Sequence, residues 1–155
     1  MNLSDHLTSD QVILDLSAKT KSDALREIAE FAQSSGLVPD AEPMKRGLEE
    51  REELISTGIG DGVAIPHMRY QGPEKLFLIV ARSKAGIDFD SLDGDPAHLF
   101  IVICGPEEAD QEQLKILSRT ARLLKQDEFR QRLLAAESED AVLECIQTEE
   151  ALIGS

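Results

Sequence analysis

The chain has 155 residues, of which 41% are hydrophobic and 30% are charged, so it is long enough to enclose one hydrophobic core without disulfides or metals. Thirty acidic residues against 16 basic ones give a net charge of −14. This charge argues against nucleic acid and anionic membranes as partners, because both select for clustered lysine and arginine, and it favours basic protein partners.

No apolar run approaches the roughly 20 residues of a membrane-spanning helix. The first residues also lack the basic and then apolar order of a secretory signal. We therefore expect a cytoplasmic protein with no direct membrane insertion. Cys104 and Cys145 have apolar neighbours and neither metal-binding nor disulfide spacing, so we expect two buried, reduced thiols.

Two amphipathic helices are predicted near the N-terminus. Residues 20–23 offer a helix start, with hydroxyls that can cap free N–H groups and an acid in the first turn. Apolar residues then recur with the spacing of one helical face until Gly36. The second helix starts between Pro39 and Pro43 and runs to about Leu54.

The middle of the chain predicts strands. Residues 56–62 carry three alternating glycines, which indicate an irregular backbone. A short strand is expected at 63–65, ended by Pro66, and a stronger one at 76–81. Residues 98–104 form a nearly continuous apolar run, as expected of a central strand covered on both faces.

The last third of the chain predicts helices again. Leucines and alanines after Pro106 recur with helical spacing, and Asp127 and Ser138 can open two further helices. The order of helices, strands and helices favours an α/β or α+β fold in which helices enclose a mixed β-sheet. We expect residues 1–155 to form a single domain.

Three histidines are candidates for chemistry. His6 is predicted to be a solvated surface group, and His98, at the start of the apolar strand, to be structural. His67 follows a glycine-rich loop, a short strand and a stiffening proline. A neutral imidazole is a competent nucleophile toward a phosphoryl donor, and Arg51 and Arg69 could neutralise the phosphate. Taken alone, however, a histidine in a loop more often has no chemical role.

Other motifs are absent from the sequence. The glycine-rich loop is followed neither by Gly-Lys-Ser/Thr nor by a helix, so it is not a P-loop or a dinucleotide fingerprint. No zinc spacing and no nucleophile elbow occur, and we expect no metal and no cofactor. The paired acids are interpreted as solvated faces; they are Glu49-Glu50, Glu52-Glu53 and Glu107-Glu108.

The segment Arg51–His67, REELISTGIGDGVAIPH, closely resembles the signature of the fructose/mannitol-type (type 2) enzyme IIA domain of the phosphotransferase system (PTS). This family also includes the nitrogen-regulatory enzyme IIA proteins. The turn at 92–96 and the segments 113–117 and 123–124 fall in family order. The resemblance covers roughly residues 1–148.

The resemblance implies a fold and a role. The family fold is a mixed sheet between helices. The histidine after Ile-Pro, here His67, takes a phosphoryl group from phospho-HPr and passes it to a cysteine of an enzyme IIB, without metal or nucleotide. Arg51 matches the family arginine that neutralises the phosphate. Arg69 and Thr57 are taken as supporting residues of the site.

Two positions depart from the family pattern. Gln113 stands where the family commonly has a second histidine, and its amide can donate to a phosphate oxygen but carries no charge. Met68 stands where glycine is common and adds bulk beside His67. Both departures bear on the efficiency of transfer more than on the fold.

An alternative function follows from these departures and from the absence of an attached IIB or membrane segment in this chain. It is a non-catalytic regulatory module whose phosphorylation state controls partners such as kinases or transporters. In either case the docking face is expected around His67, with an apolar rim at Ile59, Ile65 and Met68 and with Asp61 facing a basic carrier.

Overall fold

Six strands and five α-helices make up the part of the chain that the structure, a computed structural model, describes: residues 2–70 and 72–153. The strands are β1 (Val12–Ile13), β2 (Gly58–Gly60), β3 (Val63–Ala64), β4 (His67–Arg69), β5 (Phe77–Ile87) and β6 (Ala97–Gly105). The helices are α1 (Lys21–Ser34), α2 (Ala41–Leu54), α3 (Asp110–Leu123), α4 (Asp127–Ala135) and α5 (Glu139–Ile153).

All strands belong to one mixed sheet in the order β1-β5-β6-β3-β2. β5 and β6 form its antiparallel centre, and β1 pairs parallel with β5. β3 and β4 both pair parallel with β6, one after the other along its length. The predicted single domain with a mixed sheet between helices is confirmed.

The central strand β6 divides the core in two. Leu99, Ile101 and Ile103 belong to the cluster that includes apolar residues of α3, α4 and α5. Phe100 and Val102 belong to the opposite cluster, with residues of α1 and α2. Because successive side chains of a strand point to opposite faces, the continuous apolar run of β6 fills both clusters, as predicted.

The first two helices begin at capping residues. The Thr20 hydroxyl accepts the Asp23 N–H at 3.2 Å, as the sequence predicts. Helix α2 starts slightly before Pro43, because the Asp40 carboxylate accepts the Glu42 N–H at 3.2 Å. Pro43 then lies in the first turn, where a missing N–H costs nothing.

Two strands differ from the prediction. Pro66 does not end the pairing, because its carbonyl accepts the Ile103 N–H at 2.9 Å and the chain continues as β4. Proline lacks a donor but keeps its acceptor, so only two residues, Ile65 and Pro66, separate β3 from β4. β5 continues beyond Ala81 to Ile87, through a polar stretch that the apolar pattern does not reveal.

The cysteines and the outlying histidines differ in burial. Cys104 is buried, as predicted, and burial raises the pKa of its thiol to about 12. Cys145 is only half-buried, so that prediction is wrong, because it lies at the edge of the buried face of α5. His6 is not a solvated group, since its Nε2 is buried. His98 has a structural contact, Nδ1 to the Ser83 carbonyl at 2.9 Å.

Across residues 2–70 and 72–153, no helix has both the length and the apolar character that crossing a membrane requires.

Candidate functional site

His67 is the first residue of β4, opposite Ile103 of the central strand. Its Nδ1 lies 2.7 Å from the Ile65 carbonyl oxygen. A carbonyl only accepts, so Nδ1 carries the proton in a neutral ring and donates it to Ile65. The partly exposed ring therefore has its lone pair on Nε2, the atom available for chemistry.

The surroundings of His67 favour the neutral ring. Burial lowers the pKa of His67 below its ordinary value, and the hydrogen bond to Ile65 opposes this shift. The charge of Arg51 lowers the pKa further, that of Glu52 raises it, and that of Arg69 lowers it. The imidazole is thus an unprotonated nucleophile at neutral pH.

A cleft of about 1220 Å³ surrounds this ring, and we call it the His67 cleft. Arg51 of α2, Arg69 of β4 and Gln113 of α3 all line it together with His67. Four of the five site residues expected from the sequence therefore share one cleft, although they come from three different elements. Among the described residues, three arginines and three glutamates line the cleft, so its formal charges balance. The guanidinium groups of Arg51 and Arg69 can still pair with a phosphoryl group.

The two arginines are held differently. Arg51 donates through Nη1 to the Ile55 carbonyl at 2.9 Å, which fixes its guanidinium beyond the last turn of α2. Arg69 forms an ion pair with Asp110, the first residue of α3. Both ends of that pair are exposed, so water competes for it and Arg69 can turn toward an anion at little cost.

Gln113 lies deep in the cleft. Its side chain is 5% exposed, and its Oε1 is buried without a hydrogen-bond partner among the described residues. A buried amide that lacks a partner costs free energy unless a bound group satisfies it. The unpartnered atom is an acceptor, so it would be satisfied by a bound donor; a phosphoryl oxygen could be contacted only by the amide N–H of Gln113.

Thr57, the fifth expected residue, is not among the described residues that line the cleft. It is 4% exposed and is bound to Glu52 through its backbone N–H at 3.0 Å and through its hydroxyl. The Thr57 carbonyl in turn accepts the Ile65 N–H at 3.0 Å. Thr57 thus lies behind His67 and supports the backbone that leads to it.

Glu52 was missed as a site residue. The sequence interpretation placed the Glu52-Glu53 pair on a solvated face, which is wrong for Glu52, since it is 8% exposed and lies 2.9 Å from Lys21 Nζ. A signal was present: Glu52 continues the row of buried residues Met44 and Leu48 at four-residue spacing. The other paired acids are exposed, except the partly buried Glu49.

Met68 lines the His67 cleft and also packs against α2. Its side chain covers Gly47 of α2 so closely that a Cβ on Gly47 would lie 2.0 Å from Met68 Cε. The glycine of α2 therefore makes room for the thioether. The expected bulk at position 68 is in part accommodated by the neighbouring helix.

Within the described ranges, no group of three or more histidine, cysteine, aspartate or glutamate side chains could hold a metal ion.

The mixed sheet, the helices on both faces and the cleft that brings His67 together with the two expected arginines agree with one class of protein. The family model for the EIIA 2 component of the phosphoenolpyruvate-dependent sugar phosphotransferase system matches residues 5–149, and the chain belongs to this family. The chain is therefore a phosphocarrier component of this phosphotransferase system.

Individual relatives carry two kinds of name. The chain is 33% identical to a nitrogen regulatory protein of Pseudomonas aeruginosa, over 94% of this chain and 95% of that one. It is 38% identical to the fructose-specific EIIABC component of Bacillus subtilis, over 94% of this chain but only 23% of the relative. The crystal structure of the nitrogen regulatory protein IIA-Ntr from Neisseria meningitidis is similar, with a TM-score of 0.85, 30% identity and coverage of 92% and 97%.

Proposed function

We propose that His67 Nε2 accepts a phosphoryl group from a phosphorylated HPr-like carrier and passes it to a cysteine of an enzyme IIB. The observation that carries this proposal is the 2.7 Å contact between His67 Nδ1 and the Ile65 carbonyl, which leaves the lone pair on Nε2. In this role, residues 1–155 act as one enzyme IIA domain in the cytoplasm.

The transfer is a displacement at phosphorus. The Nε2 lone pair attacks, a new N–P bond forms, and the bond to the carrier's imidazole breaks with its electron pair returning to that nitrogen. In the second step a thiolate attacks the same phosphorus, an S–P bond forms, and His67 regains its lone pair. No net proton or electron is needed from a cofactor.

The cleft residues have defined roles in this proposal. Arg51 and Arg69 flank the phosphoryl oxygens and stabilise their charge in the transition state. Gln113 donates an amide N–H to a phosphoryl oxygen without adding charge. Thr57 acts through the backbone rather than on the phosphate.

Phosphotransfer with labelled phosphoenolpyruvate, enzyme I and HPr tests the assignment. The wild-type chain is expected to gain one acid-labile, base-stable phosphate, and His67→Ala is expected to gain none. His6→Ala is the matched control, because it also removes one imidazole but lies outside the His67 cleft. A folded His67→Ala chain that is still labelled contradicts the site.

A second function is favoured by Gln113, whose neutral amide suits a slow phosphate exchange and a long-lived signal. In this alternative the phosphorylation state controls a kinase or a transporter. Pull-downs with wild type, His67→Ala and His67→Glu test it, because His67→Ala cannot carry the phosphate and His67→Glu has a permanent negative charge at that point. The same partners bound equally by all three contradict a phosphate-dependent switch.

A further inference from the structure

We propose that Glu52 is a positioning residue for phosphoryl transfer, because it anchors the hydrogen-bonded path that orients His67. Glu52 does not line the cleft, so it acts through other residues. The inference rests on the proposed function of His67. The sequence pattern of adjacent acids alone predicts that the Glu52 side chain is exposed to solvent.

The path begins at a buried charge. The Glu52 carboxylate accepts the Thr57 N–H at 3.0 Å and the Thr57 hydroxyl, and it pairs with Lys21 Nζ at 2.9 Å. Lys21 Nζ lies 4.8 Å from the centre of the Phe89 ring, so a cation–π contact also restrains its ammonium group. A buried carboxylate with several charge-assisted bonds is a stiff support, since each bond restrains its position.

The path continues through Ile65. The Ile65 N–H donates to the Thr57 carbonyl at 3.0 Å, and the Ile65 carbonyl accepts from His67 Nδ1 at 2.7 Å. Glu52 thus fixes Thr57, Thr57 fixes Ile65, and Ile65 selects the ring nitrogen that keeps its proton. Each link is short, and only the last one involves the reacting side chain.

Glu52 also acts on His67 through its charge. Its carboxylate raises the pKa of His67, against the effects of burial and of the two nearby arginines. A substitution of Glu52 does not alter the other charged or titratable side chains that line the cleft. These are Arg46, Glu50, Arg51, Glu53, Arg69, Tyr70 and Glu107. A loss of the Glu52 charge alone is therefore expected to lower the pKa of His67.

A purely structural role for Glu52 is a real alternative, because the Lys21–Glu52 pair also joins α1 to α2. That role changes the free energy of unfolding but leaves the tautomer of His67 unchanged. A measurement on the imidazole ring of His67, rather than the free energy of unfolding, therefore distinguishes the positioning role of Glu52 from a structural role.

Nitrogen NMR of the His67 ring, recorded across pH, provides the test. Glu52→Gln keeps the size of the side chain and removes its charge. We expect its His67 titration midpoint to move to lower pH and the tautomer with the proton on Nε2 to become populated. Thr57→Val removes only the hydroxyl link, and we expect it to change the tautomer populations with a smaller change of midpoint.

The control is Glu49→Gln, which removes another ion-paired carboxylate from α2, the one 3.0 Å from Lys45. Its His67 titration and tautomer are expected to match wild type. In phosphotransfer, Glu52→Gln is expected to lower kcat about tenfold with the KM for the carrier unchanged, because misorientation of the nucleophile slows chemistry and not docking.

The inference is overturned if folded Glu52→Gln keeps the wild-type tautomer of His67, as Glu49→Gln is expected to, even if its midpoint moves, because loss of a nearby charge alone moves the midpoint. If Glu52→Gln does not fold, as judged by circular dichroism, unchanged tautomer populations in Thr57→Val overturn it instead. The ring titration needs no phosphoryl donor. A wild-type chain that gains no phosphate therefore refutes the proposed function without affecting this test.

Discussion

Burial of His67 has a measurable consequence for pH dependence. Because the folded chain lowers the pKa of His67, its Nε2 lone pair persists as the pH falls below about 6.5, the ordinary histidine value. An ordinary histidine keeps only about a quarter of its rings neutral at pH 6, so His67 is expected to keep more. Proton NMR of the ring across pH measures the midpoint.

The reference for that titration is the same chain unfolded in urea. The unfolded chain binds the proton at higher pH than the folded one, so the contribution of His67 to stability is present above the unfolded pKa and is lost as the pH falls through the folded pKa. A folded midpoint at or above the unfolded one contradicts the expectation.

Gly47 and Met68 form a pair whose coupling can be measured. Gly47→Ala should raise the free energy of unfolding by about 0.5–1 kcal/mol through α2, because alanine is the better helix former. In the wild-type chain the new Cβ, 2.0 Å from Met68 Cε, must displace that side chain and cancel the gain. In a Met68→Ala chain the gain should appear.

Urea unfolding of the four chains gives the coupling free energy, which we expect to be about 1 kcal/mol or more. The other side chains near Gly47 leave room, since a Cβ there meets only Met68 within 4 Å. Equal effects of Gly47→Ala in the two backgrounds contradict the close contact.

Some residues at or near the His67 cleft could be predicted from the sequence, and others could not. The segment 51–67 pointed to His67 and Arg51 through its resemblance to a family signature; the structure places both in one cleft, and their roles stay predictions. Glu52 was missed because adjacent acids look solvated, while the helix turns one of the two inward. Thr57 was assigned to the site, but which atom it offers depends on a contact with α2 that the sequence does not express.

At the scale of elements, Arg82 of β5 holds the end of α4. Its guanidinium donates to the carbonyls of Leu133, Leu134 and Ala136 at 2.7 to 3.1 Å and to that of Leu14 at 3.0 Å. The last carbonyls of a helix have no partner within it, so this buried cation caps α4 and ties it to the sheet.

Arg82→Met is therefore expected to lower the free energy of unfolding by about 2–4 kcal/mol, because it leaves buried carbonyls without donors. Urea unfolding measures the loss. Arg122→Met, at an exposed position of α3, serves as the control and should change the free energy by no more than about 0.5 kcal/mol. Similar values for the two variants would refute the capping role.

The same arginine explains why one strand was too short in the sequence prediction. The apolar pattern ends at Ala81, yet β5 continues because Arg82 has its hydrogen bonds satisfied by the helix layer. The amphipathic helices and β6 were predictable, since their periodicity reflects burial directly. β4 was not, because three mixed residues after a proline carry no strand pattern and pair only because β6 lies beside them.

For the whole molecule, the net charge of −14 sets the expected response to salt. An acidic chain attracts a basic carrier over distances that ions screen, about 10 Å at 0.1 M salt. If the proposed transfer occurs, its second-order rate constant should fall steadily as sodium chloride increases, through slower association.

Stopped-flow transfer at several salt concentrations measures this constant, and single-turnover chemistry in the preformed complex serves as the internal control. The chemical step is expected to be nearly insensitive to salt. A second-order rate constant that is unchanged or rises with salt contradicts electrostatic attraction between the two proteins.

The anchoring of β4 on the central strand limits how the proposed phosphorylation of His67 could change the molecule. His67 to Arg69 pair with Ile103 to Gly105, and the Tyr70 N–H continues the ladder to the Gly105 carbonyl at 3.2 Å. A phosphoryl group adds a charge of about −1.5 to −2, here on a backbone that is already fixed. Under the proposed function, the two states of the molecule would share one backbone conformation and differ in electrostatic potential at one point, so a partner would distinguish them by where it places its own arginines and carboxylates.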